Sequence, residues 1–128
     1  MKKSYFLLIS LCFLTTVKSQ IISIPDVNFK AQLLKSDGVY SQIGYNSRFD
    51  PIKIDTNSNG EIEVSEALNI YGLTLESYSD ISDLTGIEYF SNLFFLNCNN
   101  NKLTSLNLNN LLNLNYLRCN GNLLTSLD

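Results

Sequence analysis

Two stretches of this 128-residue chain are copies of one another. From Leu93 the sequence reads LFFLNCNNNKLTSLNLNNLLN, and from Leu114 it reads LNYLRCNGNLLTSLD. Leu93, Leu96, Cys98, Asn101, Leu103, Thr104, Ser105 and Leu106 recur as Leu114, Leu117, Cys119, Asn122, Leu124, Thr125, Ser126 and Leu127, at a constant offset of 21 residues. So short a period excludes most globular folds. Each copy is a single turn of chain that cannot bury its own apolar edge and must stack on a neighbour.

The pattern L-x-x-L-x-C-x-x-N-x-L, with Cys at a small apolar position, is that of a leucine-rich repeat. Its Leu and Cys positions alternate as in a short strand, so they point inward and stack on their counterparts one coil away. The Asn turns the chain and bonds backbone groups that the bend leaves open. A looser copy comes earlier, at Ile70, Leu73 and Leu75 followed by Ile81, Leu84, Ile87 and Phe90, and its spacing predicts a slightly longer first coil. The expected fold is an α/β solenoid: short parallel strands over residues 70–128, one per repeat of about 21 residues, behind a helical cap over 20–69. The sequence ends at Asp128, directly after the Leu127 that leads into another coil, which points to the front of a longer protein.

The N-terminus carries a different signal. Met1, Lys2 and Lys3 precede an apolar stretch from Tyr5 to Leu14, and Val17 and Ser19 stand before Gln20. A charged start, about ten apolar residues and small residues at the cut make a secretory signal peptide over 1–19, far short of the roughly twenty residues of a membrane span. Cleavage after Ser19 would leave a secreted or cell-surface chain with no membrane span. Cys12 follows Leu11 rather than a small residue, which disfavours a lipid anchor. The net charge of −3, with scattered Lys and Arg, gives no basic face for nucleic acid. The lack of histidine excludes His-based triads and His-ligated zinc, and the two cysteines beyond the signal peptide are too few for a thiolate site.

Residues 20–69 have another texture. Pro25 and Asp26 open a predicted helix through Lys35, with Val27, Ala31 and Leu34 on one face and Phe29 and Leu33 widening it. Residues 36–50, rich in Ser, Gly, Tyr and Asn, read as loop; Pro51 to Ile54 reads as extended; Ser65 to Asn69 reads as a short helix. Between the last two, the segment from Asp55 to Glu66 fits the EF-hand-type template D-x-[DN]-x-[DN]-G-x5-E at every constrained position. Chance would give such a match about once in 10⁵ to 10⁶ starting points. In that template Asp55, Asn57 and Asn59 curl their side-chain oxygens round one side of a calcium ion, Gly60 makes the sharp turn and Glu61 offers its carbonyl. Glu63 acts through a water, Glu66 reaches back with both oxygens, and Ile62 anchors the loop to the core. Asn in place of Asp at two positions, and an extended rather than helical approach, point to weak structural calcium with affinity near ~10⁻⁴ to 10⁻³ M. The alternative is a polar turn that binds nothing.

If Leu93, Leu96 and Cys98 face inward, Phe95 and Asn97 face outward beside Tyr116 and Arg118, and Thr74 and Glu76 extend the row toward the cap. Exposed aromatics flanked by arginine anchor interfaces, so Phe95, Asn97, Tyr116 and Arg118 are the candidate ligand-binding residues. An ordinary solvated strand face would look similar. Phe94 and Asn115 read as packing and turn residues. Cys98 and Cys119 fall on adjacent strands about 4.8 Å apart, within disulfide reach, but their parallel Cβ vectors favour buried free thiols. The carboxylates that a glycosidase would need, Asp55, Glu61, Glu63 and Glu66, are all absorbed by one metal loop, so no autonomous enzyme is expected.

Taken in order, IPDVNFKAQLL, IDTNSNGEIEVSEAL and ISDLTGIEYFSNLFFLNCNNNKLTSL resemble the internalin-like leucine-rich-repeat proteins of bacterial surfaces. The resemblance covers nearly the whole chain after the signal peptide. It implies an extended secreted or surface protein for adhesion or recognition of a protein or glycan, with an EF-hand-like helical cap. A dockerin-like tag normally has two such loops, and one is visible here. The alternative is a non-binding structural front end of a larger surface protein with a downstream enzymatic domain.

Overall fold

Asp26 starts the longest helix among the described residues. Its carboxylate accepts the Asn28 and Phe29 N–H groups at 2.9 Å, and α1 runs over Val27–Lys35 until Ser36 turns extended. The buried face is Phe29, Gln32 and Leu33, whereas Val27 is 76% exposed and Ala31 is exposed too. The predicted stripe through Val27 and Ala31 is therefore rotated out to solvent. Phe29 and Leu33, one turn apart, carry more apolar area than that pair, and together their burial contributes at most roughly 3 to 6 kcal/mol, enough to set the rotation of the helix.

This computed structural model describes residues 19–125, so the predicted signal peptide, apart from Ser19, and the repeat positions Ser126 and Leu127 lie outside the described residues. The stretch 36–50, expected as loop, contains strand β1 (Gly44–Tyr45). It pairs antiparallel with β2 (Pro51–Ile52) on one side and with β3 (Gly72–Thr74) on the other. Asn46 makes the connecting turn: its Oδ1 accepts the Arg48 and Asp50 N–H groups, and Phe49 takes a left-handed conformation with φ 62. A two-residue strand shows no alternation for a sequence pattern to reveal.

The repeats supply β4 (Phe95–Asn97) and β5 (Tyr116–Arg118), parallel to β3, and the open five-stranded sheet has the order β2-β1-β3-β4-β5. Register places Leu73 beside Leu96 and Leu96 beside Leu117, spacings of 23 and then 21 residues, so the first coil is the longer one as predicted. Every apolar position of the looser copy, from Ile70 to Phe90, is at most 4% exposed. Helix content departs from the expected α/β solenoid. Among the described residues the coils return through turns and a 3-10 segment, Ile87–Tyr89, and α-helix is confined to α1 and α2 (Val64–Ala67). A coil of this length that supplies a strand and two bends has little chain left for an α-helix.

Asparagines join the coils. Asn101, buried, accepts the Ile81 N–H at 3.2 Å and donates to the carbonyls of Asn99 and Cys98 at 3.1 and 3.4 Å. Asn122 repeats this one coil later, accepting the Leu103 N–H at 3.1 Å and donating to Cys98 and Cys119 carbonyls at 2.9 Å. The turn role expected of these residues is thus observed, with each amide reaching across to the preceding coil. Among the described residues no helix is long and apolar enough to cross a membrane.

Candidate recognition face and cation loop

One face of the sheet packs on the core through Leu73, Leu96 and the half-buried Leu117. The opposite face carries Tyr45, Gly72, Phe95 and Tyr116 in one row and Thr74, Asn97 and Arg118 in the next. Register sets Phe95 against Tyr116 and Asn97 against Arg118, so the four residues singled out from the sequence stand together. Phe95 and Asn97 are half-buried, Arg118 is exposed, and Tyr116 is 57% exposed.

The cap adds Tyr45, which sequence alone does not mark. A Cβ on Gly72 would lie 3.3 Å from the Tyr45 Cβ and 3.7 Å from the Phe95 Cδ1, so its absence lets those two side chains close over β3. The one trace in the sequence is a glycine in the slot that the next coils fill with Phe95 and Tyr116. Glu76, further along the row, accepts Lys35 Nζ at 2.7 and 2.8 Å. Hydrogen bonds from Lys35 and Gln32 hold its carboxyl below the ordinary glutamate value.

An aromatic series runs beside this face at the strand entrances. Tyr71 and Phe94 stack at 5.0 Å with ring planes 8° apart, Phe49 meets Tyr71 edge-on at 5.4 Å, and Tyr116 meets Phe94 edge-on at 5.3 Å. Phe94 is the packing residue expected of it, and it braces Tyr116 from below. Cys98 and Cys119 are free thiols, the first buried and the second half-buried. Burial, with Cys119 as a smaller contribution, pushes the Cys98 thiol up to about 12.

In the first half of the loop between β2 and α2, Asp55 and the two asparagines turn their side-chain oxygens onto backbone N–H groups. Asp55 accepts the Asn59 N–H at 3.2 Å and the Gly60 N–H at 3.0 Å. Asn57 Oδ1 accepts the Asn59 N–H at 2.9 Å, and Asn59 Oδ1 accepts the Glu61 N–H at 2.8 Å. Gly60 is left-handed at φ 78, and Ile62 is fully buried, its carbonyl accepting the Ile22 N–H at 2.8 Å. The second half differs from expectation. Glu66 does reach back, but its Oε1 accepts the Thr56 N–H and hydroxyl at 2.7 and 2.8 Å, and its Oε2 accepts the Glu63 N–H at 3.1 Å, completing a capping box on α2. Burial opposes the Glu66 charge, and the hydrogen bonds from Glu63 and Thr56 outweigh it and hold the carboxyl below its ordinary value.

Glu63, expected to act through a water, accepts Asn57 Nδ2 at 3.1 Å and Asn59 Nδ2 at 2.6 Å on its own oxygens. The Glu61 side chain turns away to Lys30 Nζ at 2.7 Å, leaving the backbone carbonyl as its contribution to the loop. Among the described residues no three His, Cys, Asp or Glu side chains form a metal-holding group. A loop of this type draws oxygens from two asparagines and a carbonyl as well, a donor set that the acidic residues alone do not reveal. For a cation to enter, the Asn57 and Asn59 amides must exchange their contacts with Glu63 for contacts with the ion.

No family model and no curated protein matches the chain. Solved structures do. The functional domain of InlJ from Listeria monocytogenes, which includes a cysteine ladder, matches with a TM-score of 0.62 at 29% identity, over 88% of this chain and 22% of that one. The structure of CBM51-2 in complex with GlcNAc and INT domains from Clostridium perfringens ZmpB matches with a TM-score of 0.55 at 26% identity, over 77% of this chain and 17% of that one. Internalin InlF from Listeria monocytogenes shares the fold, with a TM-score of 0.52 at 23% identity over 84% of this chain and 28% of that one. This chain spans 17% to 28% of the length of these structures. Its repeats are thus similar in fold to internalin-like leucine-rich repeats.

Proposed function

We propose that the chain is a non-catalytic recognition module of a secreted or cell-surface protein, binding a protein or glycan through the open face of a leucine-rich-repeat solenoid. The observation that carries this reading is the in-register block of Phe95, Asn97, Tyr116 and Arg118, of which Tyr116 and Arg118 are exposed and Phe95 and Asn97 half-buried among the described residues. Tyr45 widens the block from the cap side. Aromatic rings beside an arginine give a binding surface its anchors, and a rigid sheet holds them at little entropic cost. The similarity to InlJ, whose functional domain includes a cysteine ladder, supports the same reading, since Cys98 and Cys119 occupy equivalent positions in two successive coils here. The test is capture of the protein on arrays of immobilised glycans and surface proteins. Tyr116→Ala and Arg118→Ala should each lower capture at least tenfold without lowering the melting temperature; equal capture by both variants refutes the proposal.

The cap in this reading is EF-hand-like, and its 55–66 loop holds one structural calcium ion through Asp55, Asn57, Asn59, the Glu61 carbonyl, Glu63 and Glu66. The left-handed Gly60 and the hydrogen bonds onto Asp55 support the assignment. At a dissociation constant of ~10⁻⁴ to 10⁻³ M, about 2 mM calcium adds roughly 0.6 to 1.8 kcal/mol to stability. Asp55→Asn removes the charge and keeps one of the two oxygens that accept the Asn59 and Gly60 N–H groups, so it should abolish the calcium-dependent rise in melting temperature while lowering the calcium-free melting temperature only by the loss of one loop hydrogen bond. Melting that is identical in calcium and in chelator refutes the calcium assignment and leaves the recognition face untouched. The similarity to the ZmpB structure favours a second reading, in which the chain is a structural spacer ahead of other domains.

A further inference from the structure

A groove of roughly 840 Å³ lies at the strand entrances, flanked by the cap hairpin and spanning three successive coils. Its size falls within the range of small-ligand sites, and among the described residues no charged side chain lines it. Asn69, Asn92 and Asn113 stand in it at equivalent positions, since register relates Gly72, Phe95 and Tyr116, each three residues further on. Each amide is fixed from behind. Asn69 Nδ2 donates to the Ser65 carbonyl at 2.9 Å, Asn92 Nδ2 to the Leu68 carbonyl at 2.8 Å, and Asn113 Nδ2 to the Ser91 carbonyl at 2.9 Å. These bonds settle which end of each amide is nitrogen and leave the three Oδ1 atoms with no partner among the described residues. Paired strands are about 4.8 Å apart, so register sets the three asparagines along the groove at about that interval, Asn92 and Asn113 each held by the preceding coil and Asn69 by α2. Apolar surface accompanies them: Leu68 is 41% and Leu112 89% exposed, beside the Tyr71–Phe94 stack.

We propose that this groove binds a linear, uncharged pyranose glycan lying along the coil axis, at a site separate from the open sheet face. The acceptor row calls for a neutral ligand with a donor repeated at about one strand spacing. A pyranose chain offers hydroxyl donors on every ring, advances by close to that distance per sugar, and has C–H faces for the leucines and aromatic rings. An extended peptide presents N–H groups on one side only every second residue, about 6.7 Å apart, and is out of step by the second contact. A charged polymer finds no counter-charge here.

Backbone and asparagine side-chain amide shifts of the ¹⁵N-labelled protein are followed while β-1,4-linked hexasaccharides of glucose and of N-acetylglucosamine, and a Gly-Ser dodecapeptide, are added in turn. The expected result is movement at Leu68, Asn69, Asn92 and Asn113 with at least one sugar, and at least tenfold weaker binding by Asn92→Ala. No movement with either sugar overturns the proposal. So does movement confined to Thr74, Asn97 and Arg118, which assigns the sugar to the sheet face, or groove binding by the peptide alone. If Asn92→Ala does not fold, the shift map of the unsubstituted protein decides by itself.

Discussion

Replacing Asn101 by alanine tests how the coils are joined. Asn101 is 6% exposed and accepts the buried Ile81 N–H at 3.2 Å. Removing the side chain strands that donor, at a cost of about 1 to 3 kcal/mol. The Asn99 carbonyl loses a donor at 3.1 Å, while the Cys98 carbonyl keeps Asn122 Nδ2 at 2.9 Å and loses little. With the small void that remains, the total is about 3 kcal/mol. Asn122 likewise accepts a backbone N–H from the preceding coil, that of Leu103, and donates to the Cys98 and Cys119 carbonyls, but it is half-buried, so water can replace its amide and Asn122→Ala should cost about 1 kcal/mol. Urea unfolding followed by both far-ultraviolet circular dichroism and tyrosine fluorescence gives the two values, and coincidence of the probes checks that a repeat protein still unfolds in one step. A cost for Asn122→Ala equal to or above that for Asn101→Ala refutes the reasoning, because it shows that burial does not set the worth of the ladder.

Asp26 caps α1 and also accepts Ser82 N–H and Oγ–H and Asp83 N–H, which ties the cap to the first coil. Partial burial opposes its charge, and hydrogen bonds from Phe29, Ser82 and Asp83 outweigh it and hold the carboxyl below the ordinary 3.8. Its contribution is therefore complete above pH 3.8 and is lost as pH falls through the lower folded value. Asp26→Ala should cost about 1 to 2 kcal/mol at pH 7, with the difference narrowing in acid; a difference that grows in acid contradicts this. Iodoacetamide at pH 8 should label half-buried Cys119 well before Cys98, whose thiol burial holds at about 12, and equal labelling rates by mass spectrometry refute the burial argument. Gly72→Val forces a side chain against Tyr45 and Phe95 and should cost about 1 to 3 kcal/mol while lowering capture on the sheet face; a fully stable variant with unchanged capture rules out the closure of those side chains over β3.

The repeat was legible in the sequence because stacking forces periodicity onto it. Leu73, Leu96 and Leu117 fill one slot in successive coils, Asn101 and Asn122 another, and a 21-residue offset suffices to predict parallel strands and an outward row of Phe95, Asn97, Tyr116 and Arg118. The D-x-N-x-N-G spacing likewise fixed the first half of the polar loop, because backbone N–H groups a few residues away close onto Asp55 and the two asparagines through local geometry. Other features depend on which segments meet in space, and composition does not encode that. The rotation of α1 follows from what Phe29 and Leu33 find to pack against. The strand character of Gly44–Tyr45 comes from pairing with β3, far along the chain, and that pairing alone brings Tyr45 to the candidate face. Glu63 and Glu66 carry the same charge at the N-cap and third position of one short helix, yet one faces the Asn57 and Asn59 amides and the other the Thr56 backbone, because α2 sets which side of the loop each can reach. The Asn69, Asn92 and Asn113 row exists only once coils of 23 and 21 residues are laid in register, since the unequal spacing hides it from a single repeat period.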